Sequence, residues 1–205
     1  MTDISIVTIS LGGIADFVTA GSSQKLAVVR GLVDLYGAPY HPSRDFYGDI
    51  RQAIDDGILL GDDRDRVNAA AAECNIKRRD HYEAVASGWR EWRGRKNLER
   101  FADTAYWHEQ QLAVRVSPRF VWRQTMNRDL VWPYFKGEEL TRDGAQAAIR
   151  IMEMACPSEA GRPAILDVRR GRLHRARRRD RDYDVLLRGQ VSALLQMYEA
   201  LRPAA

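Results

Sequence analysis

Eight arginines fall within the thirteen residues from Arg169 to Arg181. A guanidinium is a planar fork of donors that matches a phosphate bidentately, and it stays charged at physiological pH. A strip this dense is a candidate contact for a nucleic-acid backbone. Arg170, Arg172, Arg175, Arg177, Arg178 and Arg179 carry that expectation. A second basic stretch, GWREWRGRK, contributes Arg90, Arg93, Arg95 and Lys96, with Trp89 and Trp92 interleaved. Indole rings beside cations can stack on bases, but Trp89 falls on an apolar helical stripe with Tyr82 and Val85, so core packing is the stronger expectation for it. The competing expectation is that these arginines are solvated, or neutralised by acids elsewhere in the chain.

The wider charge layout points the same way. Residues 1–75 hold 6 Lys and Arg against 11 Asp and Glu, a balance of −5; residues 76–205 hold 26 against 17, a balance of +9. A split of this kind implies an acidic partner for the basic part, or neutralisation between the two parts. GC-rich coding alone can produce an excess of Arg over Lys, so that excess is not in itself a phosphate signal.

Other chemistries have weaker support. No GxxxxGK[ST], GxGxxG, GxSxG or CxxC occurs, so no nucleotide loop, hydrolase elbow or redox pair is expected, and no cofactor. Gly21–Ser23 before a helix reads as a cap rather than an anion site. His41, His81, His108 and His174 stand at no metal-binding spacing. Asp180, Asp182 and Asp184 alternate as in a calcium loop, but Val185 and Val191 occupy the positions that need Gly and Glu. No metal is expected there. Asp167-Val168-Arg169 resembles the strand motif of a metal-dependent nuclease with Arg in place of Lys, its second acid drawn from Asp129 or Glu153. Asn68 to Trp89 fits a helix-turn-helix loosely, with Lys77, Arg78 and Arg79 opening the second helix.

Helices and strands must position these groups. Leu26, Val29, Val33 and Tyr36 recur at helical spacing, with Ser22 or Ser23 as cap. Phe46, Tyr47, Ile50 and Ile54 mark a second helix after Ser43, and an Ala-rich helix opens at its acidic end. Tyr82, Val85, Ala86, Trp89 and Trp92 give a stripe on a helix over residues 78–93. From residue 110 the period changes to two. Leu112, Val114 and Val116 alternate with their neighbours; Phe120 and Trp122 follow, then DLVWPYF, whose Pro133 suits an edge or strand end. Thr141 caps a helix, PAILDVR and RLHRA form a hairpin through Gly171, and residues 183–201 close as a periodic helix with Asp182 at its start.

The expected fold is α+β: a helical region over residues 1–105, then an α+β region over 106–205 with a small antiparallel sheet and two packed helices. No run approaches the roughly 20 apolar residues that span a bilayer, and no basic signal opens the chain. With Cys74 and Cys156 as the only cysteines, a reducing, cytoplasmic setting is expected. The leading functional expectation is a non-enzymatic accessory protein contacting nucleic acid or a nucleoprotein assembly. The alternatives are a module that docks on an acidic protein or on itself, and a metal-dependent nuclease.

Overall fold

The computed structural model describes residues 6–37, 45–178 and 181–202. The chain begins with a short strand, β1 (Val7–Ser10), followed by five helices: α1 (Leu11–Thr19), α2 (Lys25–Tyr36), α3 (Gly48–Leu60), α4 (Asp63–Glu73) and α5 (Arg79–Arg93). Five strands follow: β2 (Asn97–Arg100), β3 (Ala105–Glu109), β4 (Leu112–Val116), β5 (Phe120–Arg123) and β6 (Arg128–Tyr134). Helix α6 (Arg142–Ala155), the hairpin β7 (Arg162–Asp167) and β8 (Arg172–Arg175), and α7 (Tyr183–Leu201) complete the fold. The class is α+β. Among the described residues no helix is long and apolar enough to cross a membrane.

The expected small antiparallel sheet is divided: β4 joins a separate sheet, and β5 and β6 are part of a larger one. β5 and β6 pair antiparallel, but α6 carries the chain from β6 back to a parallel partner, β7. The result is a five-stranded mixed sheet in the order β2-β5-β6-β7-β8, beside a three-stranded sheet β1-β4-β3. Pro133 therefore lies in an interior strand, near its carboxyl end, rather than at a sheet edge.

Alternation along the strands sorts side chains to two faces. Val121, Leu130, Trp132, Tyr134 and Ile165 turn to the core built from α1, α2, α6, α7 and the small sheet. Phe120, Trp122, Val131, Ala164 and Leu166 turn to the core built from α3, α4 and α5. Both faces are covered, which explains why β6 and β7 read as near-continuous apolar runs.

Helix α5 lies on the second face because Tyr82, Val85, Ala86, Trp89 and Trp92 form one stripe, all buried. Gly94, at φ 45°, ends it. Thr141 caps α6 by accepting from the Gly144 N–H at 3.2 Å. One other cap differs from expectation: Gln24, not Ser22 or Ser23, stands at the start of α2. Asp182 occupies the N-cap position of α7 as expected, without a side-chain cap bond. Ser43, His41, Arg179 and Asp180 lie outside the described residues.

Candidate functional site

Strand register sets the geometry of the basic residues. Across the five-stranded sheet, Asn97 pairs with Arg123, Arg123 with Arg128, Asp129 with Arg162, and Ala164 with Arg175. Arg123, Arg128, Arg162 and Arg175 therefore stand at the same end of four adjacent strands, Arg123 and Arg128 on the face of Val121 and Leu130, Arg162 and Arg175 on the face of Trp122 and Val131. With strands about 4.8 Å apart, the row spans roughly 15 Å. Lys96, immediately before β2, joins it.

At the centre lies Asp129, fully buried. Its Oδ1 accepts from Arg162 Nη2 at 3.2 Å. Its Oδ2 accepts from Arg175 Nη2 at 2.7 Å and Nε at 3.0 Å, and from Gln124 Nε2 at 2.9 Å. A carboxylate tolerates burial when its lone pairs are filled by charged donors. The same bonds hold two guanidiniums in place while leaving them open to solvent: the Arg162 and Arg175 side chains are 58% and 45% exposed.

Trp122 joins the two basic stretches found in the sequence. Arg175 Cζ lies 5.3 Å from its ring centroid and Lys96 Nζ 5.2 Å. Lys96 also sits 4.9 Å from the Trp92 centroid and donates to the Trp92 carbonyl. Burial lowers the pKa of its amine. Arg123 pairs with Glu99 on the neighbouring strand. The rim thus gathers Lys96, Arg123, Arg128, Arg162 and Arg175 against Asp129 and Glu99, five cations to two carboxylates, a formal +3. Arg95, Arg177 and Arg178 are exposed next to it in sequence. A cleft of about 480 Å³ lies between residues 61–65 and 93–96 at the Lys96 side.

The remaining predicted contacts go elsewhere. Arg93 binds the buried Asp63 at 2.9 Å, alongside a 3.0 Å bond from Trp89 Nε1, and so ties the end of α5 to the start of α4. Arg90 is exposed on α5. Arg170 bonds Asp167 at 3.0 Å and the Gly137 carbonyl at 2.6 Å, and Arg172 bonds Glu139 at 2.5 Å. Register places Asp167 opposite Arg172 and Ala164 opposite Arg175. The arginine strip is therefore divided along β8. Arg172 points to one face at the far end, and Arg175 to the other face at the basic rim. Arg177 contributes its backbone N–H to Gln146 Oε1 at 3.0 Å.

The nuclease residues do not converge. Asp129 opens the parallel β6/β7 pair and Asp167 closes it, about 16 Å apart along the strands and on opposite faces. Glu153 pairs with Arg150 on α6. Among the described residues no group of three or more His, Cys, Asp or Glu could hold a metal ion. The helix-turn-helix reading fits poorly as well. The apolar stripe of α5 is inward, as that reading needs, but Ile76 is 72% exposed and Arg78 pairs with Asp49.

The carboxyl end of β6 and β7 gathers a different set: Asp16, Tyr134, Lys136, Asp167, Arg170 and His174. Burial raises the Tyr134 hydroxyl pKa, and the charges of Asp16, Glu138 and Asp167 add to it. Burial also raises Asp16, against the pull of Lys136. His174 is shifted down, chiefly by burial, and among the described residues its buried Nε2 has no partner. The neutral imidazole is thus favoured in the fold. Its stabilising contribution is full above the ordinary value of about 6.5 and is lost as pH falls through the folded pKa. Urea midpoints should drop between neutral and mildly acidic pH, and His174→Gln should flatten part of that slope.

Arg123, Arg128 and Arg162 are absent from any basic run in the sequence. Only their register brings them together. The signal available was the pair Arg123 and Arg128 bracketing one hairpin turn.

No protein-family model, no curated protein and no solved structure matches this chain.

Proposed function

We propose that this chain is a non-enzymatic accessory protein that contacts nucleic acid through the basic rim of its five-stranded sheet. The observation that carries this is the row of Arg123, Arg128, Arg162 and Arg175 on four adjacent strands, completed by Lys96. Their charge exceeds that of Asp129 and Glu99, the two carboxylates that they bond, so pairing with those leaves a surplus; Asp62, Asp63 and Asp65 line the cleft at the Lys96 side together with Arg64, Arg93 and Arg95. Asp129 holds Arg162 and Arg175 in place before a ligand arrives, which reduces the ordering cost of binding. Guanidiniums spaced by strands suit a phosphate backbone, and such contacts carry affinity without sequence preference.

A filter-binding titration with duplex DNA tests the proposal. Five phosphate contacts imply a slope of about −4.5 in log K against log salt, or a loss of about 500-fold between 50 and 200 mM salt. Absence of binding at about 50 mM salt removes the proposal.

A further inference from the structure

Resting on the nucleic-acid reading, we infer that the β5–β6 hairpin is a wedge, with Met126 entering a duplex between base steps while Arg123 and Arg128 grip the flanking phosphates. Met126 is 87% exposed, the most exposed large apolar side chain among the described residues. A lone apolar residue on a surface needs no explanation; this one has a particular setting. It stands at the tip of a tight hairpin in which the Gln124 N–H donates to the Asn127 carbonyl at 2.8 Å. Only Thr125 and Met126 project beyond that bond.

The stem is anchored. The Gln124 side chain donates to the buried Asp129 carboxylate, which ties the tip to the centre of the rim. One step below, Arg123 and Arg128 are direct cross-strand partners. Like charges placed opposite each other oppose pairing, and Glu99 offsets only the Arg123 side. An anion between or beside them removes that repulsion.

Apolar side chains that unstack a base step are carried on elements whose basic neighbours hold the backbone on either side. The thioether is unbranched and polarisable, so it adapts to the gap between two base pairs. The ligand implied is a duplex able to open at one step, with pyrimidine–purine steps favoured because they unstack at the least cost.

The test uses the full chain and short duplexes that each carry one 2-aminopurine at a scanned position, titrated at about 50 mM salt. Wild type is expected to raise the fluorescence several-fold at one or two positions as binding saturates. Met126→Ser, a change at an exposed tip, is expected to keep the salt slope and lose that rise. Saturable binding with no rise at any position overturns the wedge and leaves the rim in place, as does a rise undiminished in Met126→Ser. Failure of the wild-type chain to bind overturns both.

Discussion

Gly88→Ala is expected to destabilise the fold by about 3 kcal/mol or more, because the added methyl would overlap fixed backbone. A Cβ at residue 88 would stand 2.0 Å from the Val168 carbonyl oxygen and 2.6 Å from the Arg169 carbonyl carbon and oxygen. These are backbone atoms of the turn that links β7 to β8, and they cannot rotate aside. Gly171, at φ 57°, closes the same contact from the other side, and a Cβ there would meet the Gly88 carbonyl at 3.1 Å. Relief would require α5 to lift from the sheet and to loosen Tyr82, Val85, Trp89 and Trp92 together. Gly189 on α7 offers the contrast. A Cβ there meets nothing within 4 Å, so Gly189→Ala should be neutral or stabilising by up to about 1 kcal/mol. Denaturant midpoints at constant slope measure both. Equal stability of Gly88→Ala and wild type would mean that α5 does not sit on the β7–β8 turn.

Arg123→Gln with Arg128→Gln is expected to weaken duplex binding by about 60-fold at 0.1 M salt, since each phosphate contact contributes about 0.9 decades there. Arg172→Gln is expected to change affinity less than about 2-fold. The contrast matters because Arg172 lies inside the dense strip and the other two do not. Arg172 is paired with Glu139 at the far end of the sheet, and both side chains are exposed, so its loss costs little stability. Arg123 and Arg128 are the cleaner probes of the rim. Arg162 and Arg175 also hold Asp129, and replacing them strands a buried carboxylate, which would unfold the site as well as discharge it.

The legible parts of the fold are those in which one element carries its own pattern. The stripe from Tyr82 to Trp92, the stripe along residues 183–201 and the cap at Thr141 each need only local sequence. The run from Leu112 to Val116 and the Gly171 turn are equally local. What the sequence does not display is pairing between distant strands. β1 is four residues long and leads straight into α1, so its parallel pairing with β4 leaves no periodic trace. The parallel β6–β7 pairing depends on α6 packing back over the sheet, a tertiary event.

The basic site divides in the same way. Lys96 and Arg175 are visible as members of charged runs, and their meeting on Trp122 is not. Arg170 and Arg172 look like members of one strip because charge density along a sequence ignores the period of two. Along β8 that period sends Arg172 and Arg175 to opposite faces and opposite neighbours. Arg93 looks like a phosphate ligand and serves as the partner of buried Asp63, an acid whose burial nothing local announces.

If the sheet rim, which shares only Arg175 with the arginine strip, meets the phosphates, the salt dependence of duplex binding shows it most directly. Wild type and Arg172→Gln should give parallel lines of log K against log salt with slopes near about −4.5, while Arg123→Gln with Arg128→Gln should fall to about −2.7. Three parallel lines, or a flattening confined to Arg172→Gln, would contradict it.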